Sequence, residues 1–183
     1  MRKINNWKLY IVDDSDLLNK DINSSSELSS FKCFTDIKTP ITLEEVLYKN
    51  KILGHPYFSV NCWDYQKYET YHMFFVSTFK KAKGINYLRF NGIDTVSSIY
   101  LNNNLLGNTD NCFIPHTFKV NELKDDNELL IHIYPSKIEG AKFDLSKVLY
   151  SFKYNKEVIN LLAKSLDIPK SSITLIYGDK NKL

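Results

Sequence analysis

Between Tyr87 and Tyr134 the chain runs YLRFNGIDTVSSIYLNNNLLGNTDNCFIPHTFKVNELKDDNELLIHIY, a series of short β-forming segments divided by turn signals. Tyr87–Phe90 predicts a strand that Asn91-Gly92 breaks. Val96–Leu101 is β-branched and alternating, and Asn102-Asn103 can reverse the chain into Asn104–Gly107. Thr117–Val120 and Leu129–Tyr134 read as further strands, with the polar Lys124–Glu128 as a turn between them. Strand side chains alternate, so Ile99 and Leu101 fall on one face and Ser98 and Tyr100 on the other. Such a chain buries one face of an antiparallel sheet. His132 is then expected on the polar face of its strand. Gly92 permits a tight turn, Asp94 and Thr95 can bond their own backbone there, and Pro115 suits a strand start.

Composition agrees with a β-rich core. Of 183 residues, 43% are hydrophobic and 14% aromatic, with 12 Tyr and 11 Phe. Large aromatics favour strands over helical bundles. The length suits one ordinary domain, or one with a small appendage. A net charge of +3, with Lys and Arg spread out, gives no support for nucleic-acid binding. Cys33, Cys62 and Cys112 are odd in number and widely spaced, a poor disulfide framework and a poor zinc site. They are expected to be buried or half-buried free thiols, which fits a reducing compartment. The apolar run Leu9–Val12 is too short for a signal-peptide core, and no window approaches the ~20 apolar residues of a membrane span. A soluble cytoplasmic protein is the expectation, with no membrane partner.

The remainder of the chain is less regular. Trp7–Val12 predicts a first strand, and the acidic, Asn- and Ser-rich Asp13–Ser30 a mobile loop or weak strand. Thr42 with Glu45 has the spacing of a capping box, predicting a short helix over Leu43–Tyr48. Gly54-His-Pro56 ends that region, Asn61–Thr70 is irregular and aromatic, and Met73–Phe79 is apolar enough for a central strand. Lys137–Lys147 reads as a connector. Asn155–Leu166 places Val158, Ile159, Leu161, Leu162 and Leu166 at helical spacing, and Ser172–Tyr177 predicts a strand.

Several pieces, in order, resemble one known module. Trp7-Lys-Leu, Pro40-Ile-Thr-Leu-Glu-Glu-Val-Leu47, Gly54-His-Pro-Tyr-Phe58 and Tyr71-His-Met-Phe-Phe75 come first. Leu88-Arg-Phe-Asn-Gly-Ile-Asp-Thr-Val96, Ile99-Tyr-Leu-Asn102 and Gly107-Asn-Thr-Asp-Asn-Cys-Phe-Ile-Pro-His-Thr-Phe118 follow. Residues 7–134 thereby resemble the N-terminal, galactose-binding-like domain of the β-mannosidases of glycoside hydrolase family 2. The resemblance implies a jelly-roll β-sandwich, taken over residues 1–140, and the helix and strand patterns after it read as a short α/β appendage over 141–183 of a mainly β chain. The family's usual Asn-Gly hairpin is Asn102-Asn103 here, and Asn also tolerates positive φ.

The resemblance also bears on activity. In those enzymes two carboxylates of a downstream (β/α)₈ barrel act as acid/base and nucleophile. A barrel takes about 250 residues, for which 183 residues carrying a sandwich leave no room. Asp64 and Glu69, the best nominal carboxylates, read as ordinary loop residues. The family's Gly-Trp-Asp-Trp-Gly-Pro segment, which faces the sugar, has no counterpart after Tyr134, and Trp63-Asp64 lies before the matched core. Cys62 with His55 or His72, and Cys112 with His116, lack anything that sets nucleophile–base geometry. His116 is expected to be a structural histidine, hydrogen-bonded at a strand end. His and Cys lack metal-ligand spacing, and no cofactor is implied.

Binding is the remaining site chemistry. Aromatic faces can stack on a sugar, and Asn, Asp or His can meet its hydroxyls. Trp63, Asp64 and Tyr65 form one candidate contact group, and Asn111, Phe113 and His116 another. Packing at the rim of the sandwich is the plainer reading of both. At the C-terminus, Leu162-Ala-Lys-Ser-Leu166, Ile168-Pro-Lys-Ser171 and Tyr177-Gly178 resemble the C-terminal half of the YggU-like family, which implies no activity. Three readings stay open: a non-catalytic accessory module that binds a glycan or glycoside, a protein-interaction module that has lost sugar binding, and one part of a split β-mannosidase whose barrel is a separate chain.

Overall fold

The computed structural model describes residues 3–17, 20–81, 84, 87–142, 164 and 169. The chain divides into two compact units, Met1–Ala141 and Lys142–Leu183. The helix and strand expected over 155–177, and the YggU-like resemblance, lie outside the described residues, apart from Lys164, which is helical, and Pro169.

Eight strands make up the first unit: β1 Trp7–Asp13, β2 Lys32–Ile37, β3 Tyr71–Lys80, β4 Tyr87–Phe90, β5 Ser97–Leu101, β6 Asn104–Thr109, β7 His116–Lys119 and β8 Asp126–Ile133. Six form one sheet in the order β2-β1-β3-β8-β5-β6, and β4 pairs with β7 in a second, two-stranded sheet. The described pairings are antiparallel. Four short helices accompany them: α1 Asp14–Leu17, α2 Leu43–Lys49, α3 Cys62–Tyr65 and α4 Ser136–Ala141. This is the mainly β, galactose-binding-like sandwich that the sequence predicts.

Alternation places the core. Odd positions of β3 and β8 (Phe75, Phe79, Leu129, Ile131, Ile133) join Leu9 and Ile11 of β1 and Ile99 and Leu101 of β5. Across from them lie Leu88, Phe90 and Phe118 of the two-stranded sheet and Val46 and Leu47 of α2. Each such side chain contributes roughly 1.5–3 kcal/mol when fully buried. On β2 the inward residues Phe34 and Ile37 are three apart, because a bulge with Asp36 at φ 57° shifts the register against Trp7 and Leu9.

The second face of the large sheet departs from expectation. It is not left to solvent. Val12, Phe74, Val76 and Leu130 on that face are covered by Leu17, Ile22 and Leu28, and Phe74 is 0% exposed. Asp13–Ser30 is therefore no loose loop. It forms α1 and a 3₁₀ turn over Ser25–Leu28, tied down where Ser25 N and Oγ donate to the Glu128 carboxylate. The three covering residues, Leu17, Ile22 and Leu28, stand five and six apart, matching neither strand nor helix period.

Smaller departures have local causes. Thr42 Oγ1 accepts from Glu45 N at 3.3 Å, but Glu45 does not return the bond; it reaches Lys49 Nζ at 2.6 Å, one turn on. The expected connector Lys137–Lys147 begins inside the helix Ser136–Ala141, and Asn61–Thr70 coils into α3 and a 3₁₀ turn. The polar Lys124–Glu128 segment already belongs to β8 from Asp126. Gly92 is required by close approach: a β-carbon there would meet the Cys112 carbonyl oxygen at 2.9 Å. Asp94 and Thr95 hydrogen-bond each other through their side chains. Cys33 and Cys62 are exposed rather than buried, and Cys112 is intermediate. Cys33 stands on the sheet's edge strand, which no neighbour covers, and Cys62 opens α3 at the surface.

The hairpin after β5 follows its sequence closely. Asn102 and Asn103 have φ of 52° and 71°, the pair of left-handed residues a two-residue hairpin needs. Asn102 also bonds Asn127 Oδ1 through Nδ2 and accepts from Glu128 N, each at 3.0 Å, which fastens the turn to β8.

Candidate functional site

The first candidate group sits on α3 at the surface. Trp63 is 65% exposed and Asp64 is exposed, so both can meet a ligand. Tyr65 cannot present its face: it is buried in the core, and its hydroxyl donates to the Gly54 carbonyl at 2.6 Å. Burial, and after it the Glu44 and Asp64 carboxylates, push the Tyr65 phenol above its ordinary range. Tyr65 thus anchors the loop whose outward residues include Tyr57, Phe58, Val60 and Trp63.

The second group is one turn leading into β7. Asn111 Oδ1 accepts from Phe113 N at 2.8 Å, and the Asn111 carbonyl accepts from His116 Nε2 at 2.8 Å. His116 is thus the hydrogen-bonded histidine at a strand entry that the sequence predicts. Phe113 is thrust out, 92% exposed, with Ile114 beside it 50% exposed. Neither bond uses Asn111 Nδ2. The second group is closed by its own hydrogen bonds, and among the described residues no hydrogen bond or ring contact joins the two groups.

One recess among the described residues is polar. A hollow of about 280 Å³ is lined by Thr78, Asn102, Asn103, Lys124, Asn127 and Glu128, among others. It holds no aromatic wall on which a sugar ring could stack, and Asn127 spends its amide on Phe79 O, Lys124 O, Lys124 N and Asn102 Nδ2.

A third group, which sequence reasoning does not reveal, lies on the covered second face of the sheet. His72 Nε2 lies 2.9 Å from Asp14 Oδ1, and His72 Nδ1 lies 2.7 Å from His132 Nε2. His132 is 4% exposed, not on an open polar face. Its ring stacks on Phe74 at 4.1 Å and lies 4.0 Å from Tyr134, whose hydroxyl bonds Ser98 Oγ. Burial first, and then the neighbouring His72, hold the His132 imidazole down at about 3. His72 stands ten residues from Cys62 in sequence and is committed to Asp14 and His132. Ser98 Oγ is taken by Asn108 and Tyr134. The arrangement has the orienting acid and the base of a nucleophilic triad, but no nucleophile bonded to the base. The signal that could have found it is two histidines at even, same-face positions of neighbouring strands, visible only once β3 and β8 are paired in register.

Asp64 and Glu69 are exposed, and Glu69 lies 3.5 Å from Lys137 Nζ. Among the described residues no three His, Cys, Asp or Glu side chains are placed to hold a metal ion, and no helix is long and apolar enough to cross a membrane.

Comparison with known proteins identifies the sandwich. Residues 17–166 match the family model described as glycosyl hydrolase 2 galactose-binding domain-like. A β-mannosidase of Mus musculus is 34% identical over 101 residues, 55% of this chain, and the chain spans only 11% of that enzyme's length. The crystal structure of a β-D-mannosidase from Dictyoglomus thermophilum superposes with a TM-score of 0.59 at 27% identity, over 75% of this chain and 16% of that one. With the family match covering most of its length and the same sandwich in its strands, the chain belongs to the glycosyl hydrolase 2 galactose-binding domain-like family.

Proposed function

We propose that this chain is a non-catalytic, carbohydrate-binding-like accessory module of β-mannosidase type, serving a glycoside hydrolase whose catalytic barrel is not within these 183 residues. The observation that carries the reading is the extent of the likeness: the sandwich is matched, at 11% and 16% of the two β-mannosidases, and the sandwich is what the chain contains. Residues 141–183 are assigned to a second segment, although the family match runs on to residue 166. The exposed thiols Cys33 and Cys62 suit a reducing cytoplasm.

Two exposed rings, Trp63 and Phe113, support sugar contact, with Asp64, Asn111 and His116 beside them as polar partners. Tyr65 acts as the buried support of Trp63 rather than as a contact. Calorimetric titration with mannosides and galactosides tests this. Binding that weakens at least tenfold in Trp63→Ala or Phe113→Ala supports it, and flat titrations with every sugar overturn it. One observation favours a protein partner as the second reading: Tyr57, Phe58, Val60 and Trp63 expose more apolar surface than one sugar ring would cover. Co-purification of a protein through that loop, with no sugar bound, selects it. Mannosidase activity that appears only on adding a separate barrel chain selects the split enzyme instead.

A further inference from the structure

The Asp14–His72–His132 chain has a definite polarity. An ionised Asp14 only accepts, so His72 carries its proton on Nε2 and donates at 2.9 Å. His72 Nδ1 is then bare and accepts from His132 Nε2–H at 2.7 Å. One added proton can be accommodated: it sits on His72 Nδ1 while His132 moves its own proton to Nδ1, so the bond between the rings reverses and the bond to Asp14 keeps its direction. A second cannot, since it would leave two cationic rings whose nitrogens are 2.7 Å apart and both carry hydrogens.

The chain joins the sheet to the segment that covers it. Asp14 opens α1, whose Leu17 packs with Ile22 and Leu28 over Val12, Phe74, Val76 and Leu130. His132 stacks on Phe74 within that covered face. The titratable groups facing the histidine pair are Asp14 from α1, Asp13 from the end of β1 and Tyr134 after β8, with Tyr10 of β1 and Tyr100 of β5 further along the same face. Two acids and three phenols give a second cationic ring one nearby anion beyond the Asp14 already spent on His72.

We propose that this chain is a proton-operated latch, which holds α1 and residues 20–31 on the second face of the sheet and releases them when His132 takes a proton from solvent. Released, the segment would uncover the apolar patch of Val12, Phe74, Val76 and Leu130. The His132 environment supports this, since burial and then His72 hold it at about 3 against an ordinary 6.5. Opening therefore takes up one net proton between those values, and its equilibrium rises about tenfold for each pH unit of acidification. The inference is independent of whether the module binds sugar.

Amide exchange of the full chain followed by NMR, corrected for intrinsic rates, tests it. The Lys20 and Phe31 amides, bonded to Leu17 O and Leu28 O, report the segment, and the Phe75 and Ile131 amides report the sheet. Between pH 6.5 and 4.5 the expected result is roughly a fiftyfold rise in opening at Lys20 and Phe31, with the sheet amides still protected. His132→Phe, which keeps the stack on Phe74, flattens this dependence. Asp14→Asn, at an exposed position, raises opening severalfold at neutral pH. Segment amides that track the sheet amides at every pH overturn the latch, as does an unchanged slope in His132→Phe. Should that variant not fold, ¹⁵N shifts of the wild-type imidazoles decide: Nε2–H tautomers on both rings support the chain, and an Nδ1–H tautomer of His72 at neutral pH overturns it.

Discussion

The two faces of the six-stranded sheet are buried by different means, the inner one in much the larger cluster. The inner face is mainly apolar: Leu9, Phe75, Ile99, Leu129 and Ile131 pack with Leu88, Val46 and Leu47, and the buried hydroxyls of Ser77 and Ser97 bond the Asn6 carbonyl and Thr109. The outer face mixes Phe74, Val76 and Leu130 with His72, His132 and Ser98, and its cover is a short segment with one turn of helix and one 3₁₀ turn. An apolar face loses nothing on burial. A face carrying imidazoles must satisfy each nitrogen and becomes sensitive to protons. The same sheet is therefore a rigid scaffold on one side and a titratable surface on the other.

Truncation on the inner face should be the most damaging change. Ile99→Ala, at a site 0% exposed, should cost about 3–4 kcal/mol by the cavity it leaves. Urea unfolding should show that loss to be the same at pH 5 and pH 7. A pH-dependent loss would break the distinction between the faces.

Acidification probes the outer face. The folded His132 imidazole is depressed to about 3, so the unfolded chain binds a proton that the folded chain refuses. Stability is fully present above about 6.5 and falls as pH drops from there toward about 3. The slope should reach up to ~1.4 kcal/mol per pH unit. His132→Phe should remove that slope in a urea series across the range, leaving only what the carboxylates contribute.

The hairpin tests where polar burial touches the inner side. Asn102→Ala should cost about 1–2 kcal/mol, because Ala resists positive φ and leaves Asn127 Oδ1 and Glu128 N short of a partner. Smallest of all, Trp63→Ala should change stability by less than about 0.5 kcal/mol, since the ring lies outside both faces. A loss near that of Ile99→Ala would mean that Trp63 is structural and would remove it from the ligand contacts.

Much of the fold was legible before the structure. The strands from Tyr71 to Ile133 follow alternation and turn chemistry, and Asn102-Asn103 adopts the geometry its residues favour. The family likeness was legible for the same reason, since it rests on those strands and turns. The candidate site was legible only in part. Exposed Trp63 and Phe113 agree with a contact role, whereas Tyr65, two residues after Trp63, points into the core, because two positions on a helix turn a side chain by about 200°. Nothing local distinguished the two aromatics.

The sequence by itself determined the strand pattern, the Asn-Asn hairpin, the capped helix over Leu43–Lys49 and the family to which the sandwich belongs. These depend on near neighbours, on period and on turn residues. Only the tertiary structure decided that Asp13–Ser30 covers the second face, that the edge cysteine Cys33 is open to solvent, and that His72 and His132 share a hydrogen bond across 60 residues. Those outcomes depend on which strands pair and in what register. Long-range pairing selects among partners that local composition cannot tell apart, and burial of a polar residue follows from the partner rather than from the residue.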